Sequence, residues 1–211
     1  MKVVLTVLAV LALAVPAQAR EIGSVTGSWP LDGVSLVRVN FPAGRLTIQS
    51  GESPQARATL AVRCKTASRG CIERSKRVKL ITEVKGSTRE FRIEPSEWKG
   101  GWHGLTLELT IELPARIALE TAMGAGDLNF YDLEGPLEAS LGAGQVEVRA
   151  REGVVRSVDA SVGVGDVSLR RHGVRHSGHG FIARNLHWND GQGKADVKIH
   201  LGVGDVAVRL E

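Results

Sequence analysis

A Gly-x-Gly step recurs four times in the second half of this chain, and each copy runs into a short stretch of alternating apolar and polar residues. The copies are Met123-Gly124-Ala125-Gly126-Asp127-Leu128, Leu141-Gly142-Ala143-Gly144-Gln145-Val146, Val162-Gly163-Val164-Gly165-Asp166-Val167 and Leu201-Gly202-Val203-Gly204-Asp205-Val206. Stacked strands lie about 4.8 Å apart, so a Cβ at a corner shared by every repeat collides with the repeats above and below. Glycine removes that atom and tolerates positive φ. Self-similarity at a short fixed period marks a fold in which each unit buries its apolar face only by stacking on its neighbours. The expected fold is all-β: a single-stranded β-solenoid (β-helix) with roughly 20 residues per coil. Gly124, Gly126, Gly142, Gly144, Gly163, Gly165, Gly202 and Gly204 are its structural turn glycines.

The side-chain parity supports strands with one buried face. Leu137, Ala139 and Leu141 point one way and Glu138 and Ser140 the other; after the glycines, Val146 and Val148 point inward and Glu147 outward. The same holds for Val158, Ala160 and Val162 ahead of Val167 and Leu169, and for Val197, Ile199 and Leu201 ahead of Val206, Val208 and Leu210. The second glycines are spaced by 18, 21 and 39 residues. The last gap is close to two periods, so a degenerate coil is expected around Gly178-His179-Gly180 and Phe181-Ile182-Ala183. Gly135, Gly153, Gly173 and Gly191 or Gly193 would take the opposite turns. The first half also alternates, over Ser35–Phe41, Arg45–Ile48, Ala58–Val62, Val78–Val84, Arg89–Ile93 and Leu105–Leu113. Lys65–Lys76 breaks the pattern and reads as a loop or a single short helical turn.

The N-terminus has a different logic. Lys2 precedes an apolar run from Val3 to Val15, and Pro16 and Ala17-Gln18-Ala19 follow in a small-x-small arrangement. This predicts a signal peptide over 1–19, cleaved after Ala19, with residues 20–211 as one β-solenoid domain exported to a periplasm or beyond. An uncleaved membrane anchor is the alternative; the run is short for a span, and no transmembrane segment is expected in the mature chain. In an exported chain the isolated pair Cys64 and Cys71 reads as a disulfide, against a redox pair or half a zinc site. A net charge of +4 with only 4% aromatic residues is a poor match to a nucleic-acid binder.

The repeated Gly-x-Gly-Asp-Val-x-Val behind a leader resembles the putative-adhesin, β-strand-repeat family of bacterial envelope proteins. The stretch Val39-Asn40-Phe41-Pro42-Ala43-Gly44-Arg45-Leu46-Thr47-Ile48 is similar to that family's first coil. The resemblance implies a single-stranded β-helix of unknown function and carries over no catalytic residues.

Several clusters invite chemistry. Glycine–aspartate repeats suggest calcium, but Asp127, Asp166 and Asp205 supply one carboxylate per coil, with Gln145 interrupting, and hard cations take six or more oxygens. They read instead as aspartates that cap turns. His172, His176, His179 and His187, with His200 and Asp190, could ligate a transition metal, yet Arg170, Arg171 and Arg175 oppose a cation; a solvated basic loop is the plainer reading. No metal or cofactor is assigned. Arg69, Arg74, Lys76 and Arg77 lie around the cysteine pair and form a candidate contact for an anionic surface. Trp98 and Trp102 could stack on sugars, sit at a membrane interface or plug a solenoid end. The nucleophile-elbow, zincin and phosphate-loop motifs are missing, and no catalytic residue is assigned. The expectation is a non-enzymatic exported envelope protein, a structural or adhesin-like interaction module contacting another envelope protein, a glycan or itself, with peripheral membrane contact open and no nucleic acid. The alternative is a binder of an anionic surface or glycan through the basic disulfide loop and Trp98/Trp102.

Overall fold

The computed structural model describes residues 20–66, 68–94, 104–180, 182–189 and 192–211, with side chains from residue 23 onward. The expected leader, Trp98, Trp102 and Asp190 lie outside the described residues. The strands are β1 (Arg20–Pro30), β2 (Leu36–Gly51), β3 (Gln55–Cys64), β4 (Lys79–Lys85), β5 (Thr88–Glu94), β6 (Leu105–Pro114), β7 (Ala118–Tyr131), β8 (Leu137–Ala150), β9 (Val155–Arg171), β10 (Val174–Ser177), β11 (Arg184–Trp188) and β12 (Ala195–Leu210); α1 spans Arg69–Ser75. They form one long mixed sheet in the order β1-β3-β6-β2-β7-β8-β12-β9-β10, with β5 and then β4 branching from β2, and β11 beside β9. The protein is all-β, and the sheet is not closed on itself.

Each long strand is bent, and the bend follows from the sequence. In β7 the buried residues are Leu119, Thr121 and Met123 before the glycines, then Leu128 and Phe130 after them. An unbroken strand would keep odd positions inside; the Gly124-Ala125-Gly126 step shifts the parity by one. Both limbs therefore turn their aliphatic faces to the same core. Gly44, Gly126, Gly144, Gly204 and Gly165 take φ between +125° and +137° at this step. They stand side by side across the sheet in that order. A Cβ on Gly126 would fall on the Gly44 carbonyl oxygen, one on Gly144 on that of Gly126, and one on Gly204 on that of Gly144.

The order of this column departs from coils rising in chain order. The last repeat, β12, lies between β8 and β9, parallel to both and in register with both. Among the described residues no degenerate coil stands around Gly178–Ala183; Phe181 of that stretch lies outside them. Residues 174–177 and 184–188 form β10 and β11, which run antiparallel to β9 along its free edge. The long gap between Gly165 and Gly204 is thus an edge excursion that leaves one position of the ladder open for β12.

The end of the sheet at β1 is antiparallel: β1 pairs with β3, and β3 with β6, both antiparallel, whereas β2 pairs parallel with β5, β6 and β7. The core runs through both halves, with Phe41, Phe91, Phe130, Leu46, Leu109, Ile111 and Ile199 fully buried; each such side chain contributes about 1.5–3 kcal/mol by leaving water. The segment left open as loop or turn contains α1. The Ser68 hydroxyl caps it by accepting from the Cys71 amide at 3.3 Å. Cys71 is disulfide-bonded to Cys64 at the end of β3, with Cα atoms 6.1 Å apart.

Candidate interaction surface

Because the ladder is in register, every sequence position forms a row across the sheet. Two residues before each first glycine the side chain points outward, and the row reads Asn40, Ala122, Ser140, His200, Ser161. Beside it run the glycines themselves. The result is a shallow groove of about 750 Å³ across the bend, with Phe41, Pro42, Met123, Leu141 and Leu201 in its wall, Arg92 and Ile93 at one end and His200 with Ser161 at the other. Its polar ends are occupied internally. Arg92 pairs with Glu94 at 3.0 Å, Asn40 donates to Glu90 at 2.8 Å, and Ser161 hydrogen-bonds His200 Nδ1 at 2.8 Å.

The second limb presents a polar row in the same way: Arg45, Asp127, Gln145, Asp205, Asp166. Asp205 accepts from the Asp166 backbone amide at 3.0 Å, and Asp166 from that of Val167 at 3.0 Å. Arginines close both ends of the row, Arg45 on Asp127 at 3.1 Å and Arg184 on Asp166 at 2.6 Å. These carboxylates are thus engaged with backbone amides and guanidinium groups rather than converging on one point. A second hollow, of about 570 Å³, lies over this face between Tyr131 and Arg209.

The histidines separate. His176, His179 and His187 line a small cavity of about 280 Å³ with Trp188. His172 sits 2.8 Å from Glu152, and His200 belongs to the outer row. Among the described residues no group of three or more His, Cys, Asp or Glu side chains is placed to hold a metal. His172 takes φ +48° and Gly173 φ +76° in a two-residue hairpin between β9 and β10. Such turns need positive φ at both central residues. The His-Gly step is therefore the corner of an edge hairpin: Gly173 is at a turn, as expected, but the turn leads back along β9 instead of into a new coil.

The basic cluster is also divided. Arg69 and Arg77 are exposed and Lys76 is paired with Glu73 at 2.9 Å, whereas Arg74 is half-buried with its guanidinium against Gly70 and Gly104. Three of the four expected anion contacts are thus exposed and the fourth is partly buried. The outer rows themselves were missed from sequence, although the position two before each first glycine is small or polar in every repeat, which aligning the repeats makes visible.

A bent, in-register β ladder with a disulfide-pinned helical turn defines an all-β scaffold class. The chain belongs to the Toast_rack_N family: the model for the N-terminal domain of toast_rack, DUF2154, matches residues 24–170. The match stops short of β10, β11 and β12. Among solved structures, a putative cell adhesion protein from Clostridium sporogenes superposes with a TM-score of 0.53 at 17% identity, covering 91% of this chain and 100% of that one. A putative adhesin from Bacteroides fragilis aligns over 88% of this chain and 97% of its own at 10% identity, with a TM-score of only 0.25. The first likeness is one of fold. No curated protein matches the chain. Among the described residues no helix is long and apolar enough to cross a membrane.

Proposed function

We propose that this protein is an exported, non-enzymatic interaction module of the bacterial envelope, adhesin-like in the sense that a rigid β surface meets another macromolecule. The observation that carries the reading is the register of the ladder. It lines up equivalent outward side chains from β2, β7, β8, β12 and β9 into two continuous rows separated by a strip of glycine. A surface repeated at strand spacing suits an extended partner. The two-limbed strands stacked on one core also support a solenoid-like winding in which one coil is inserted out of chain order. The fold shared with a protein described as concerned with cell adhesion points the same way.

The test is in-cell photo-crosslinking from Ser140 and Gln145, one in each outer row, with Glu73 on α1 as the control position. The reading expects discrete adducts in the envelope fraction from the row positions. Adducts from Glu73 alone, or a protein retained in the cytoplasm, refute it. Adducts from Glu73 to lipid or polysaccharide favour the anionic-surface alternative, for which exposed Arg69 and Arg77 are the supporting observation.

A further inference from the structure

The two ends of the sheet are finished differently. At one end β10 and β11 are short strands of four and five residues that carry Arg175, His176, Arg184 and His187. Short strands and basic side chains are the usual devices that keep an edge from pairing. At the other end β1 spans eleven residues and is hydrogen-bonded only to β3 among the described residues. From Ile22 to Trp29 it holds no ionisable side chain, and no proline interrupts it before Pro30. The apolar face of the sheet runs out to this edge and ends uncovered: Leu60 of β3 is 1% exposed, while Val25 opposite it is 56% exposed. Trp29 turns back over Gly27 and packs edge-on against Phe91 at 5.3 Å, so it does not shield Val25.

We propose that β1 pairs antiparallel with β1 of a second copy of this chain, across a two-fold axis at Val25. The strand is a near-palindrome about that residue, Gly23-Ser24-Val25-Thr26-Gly27. A two-fold places Ser24 opposite Thr26 of the other copy, glycine opposite glycine, and the two Val25 side chains against each other on the same face. From Gly23 to Gly27, the stretch that the two-fold sets against itself, no residue is charged, so no like charges meet there. Aliphatic pairs and hydroxyl pairs directly across an antiparallel ladder are stabilising. The contact is isologous and closes on itself. The guarded β10 and β11 edges then face outward at both ends of the doubled sheet, which opposes growth into a filament. One strand pair buries less than the roughly 1,200–2,000 Å² of stable complexes, so the dimer is reversible and concentration-dependent.

This inference deepens the interaction-module reading by naming self-association, yet it uses an edge separate from the outer rows, so each can fail alone. The test uses protein purified from the full-length coding sequence. Sedimentation velocity over a concentration series is run on wild type, Val25→Lys, Val25→Cys and Ser28→Cys. The weight-average mass of wild type rises toward twice that of the monomer, and Val25→Lys stays monomeric with unchanged circular dichroism and thermal midpoint. Under mild oxidation Val25→Cys forms a covalent dimer and Ser28→Cys, far from its own copy across the axis, does not. Wild type that remains monomeric throughout, a Val25→Lys dimer equal to wild type, or Ser28→Cys linking as readily as Val25→Cys would each overturn it. If dimerisation fails while Ser140 and Gln145 still capture a partner, the module reading stands without this edge.

Discussion

Substituting alanine for Gly144 tests the central structural claim, that the second glycine of each step exists because its neighbour's backbone occupies the space of a side chain. Gly144 lies in the middle of the column, between Gly126 and Gly204, at φ +137°. A Cβ there would fall on the Gly126 carbonyl oxygen. Holding an L-residue in that region costs about 1–3 kcal/mol. Forcing the β7 and β8 backbones apart adds about 1–3 kcal/mol, by analogy with overpacked cores. The sum, about 2–6 kcal/mol, is a large share of the roughly 5–15 kcal/mol that holds a domain folded. Equilibrium urea unfolding followed by tryptophan fluorescence reads it; with a slope of about 2 kcal/mol per molar, the midpoint drops by about 1–3 M. Two controls separate the causes. Gly33→Ala meets nothing within 4 Å but sits at φ +72°, so it loses only the left-handed strain of about 1–2 kcal/mol. Gly153→Ala meets nothing and has no positive φ, so it should be close to neutral. A Gly144→Ala midpoint no lower than that of Gly33→Ala would refute the collision argument and leave only backbone conformation to explain the repeat.

Four further outcomes follow from particular side chains. Thr121 is 1% exposed and its Oγ1 has no hydrogen-bond partner, so Thr121→Val should raise stability by about 1 kcal/mol in the same unfolding assay. Hydrogen bonds from Arg156, then Ser157, hold the Asp196 carboxyl below its ordinary value. Its contribution is therefore complete above the unfolded carboxylate value and lost as pH falls through the lower folded value; Asp196→Asn should flatten this part of the acid limb in a pH series of thermal midpoints. Reducing the Cys64–Cys71 bridge, or replacing Cys71 with Ser, should cost about 2–3 kcal/mol by the loop-entropy estimate for so short a loop. Reversing Arg69, Lys76 and Arg77 together to Glu should change urea stability by no more than about 1.5 kcal/mol, about 0.5 for each exposed position, with the loss of the Lys76–Glu73 pair included. It should also abolish any salt-sensitive retention on anionic vesicles, and retention that persists would remove the anionic-surface alternative.

What could be read from the sequence was whatever depends on nearest neighbours in the chain. Alternation set the inward faces of β8, β9 and β12, and the glycine step located the bends of β7, β8, β9 and β12, because both effects act within a few residues. The order of the ladder was not readable. Leu141, Val162 and Leu201 are interchangeable as inward residues, so the pattern that says a strand stacks does not say on which strand. The deciding information lies in the connection after Arg171, where His172-Gly173 turns the chain back along β9 instead of starting a new coil. The outer rows were hidden for a related reason: Ser140, Ser161 and Ala122 look unremarkable singly and become a surface only when register places them side by side.

The position of β12 changes what kind of stability this scaffold can have. In a solenoid that stacks in chain order, each unit rests on the one before it, stability is nearly a sum of neighbouring contacts, and the last unit can fray alone. Here the last strand is the joint. It is in register with β8 from Val197 to Leu210 and with β9 from Ala195 to Leu210, and those two strands do not pair with each other. Losing β12 would not shorten the sheet by one strand. It would divide it, leaving β9, β10 and β11 on one side and the rest on the other, with Val158, Ala160 and Val162 uncovered where Val197, Ile199 and Leu201 had stood. The ladder must therefore wait for β12 before its middle is complete. This links residues about 40–60 apart in sequence and makes folding depend on non-local pairing rather than on stepwise addition. The family match, which ends at residue 170, includes β8 and β9 but not the strand between them. In this chain, residues beyond the matched span are what make the matched span continuous.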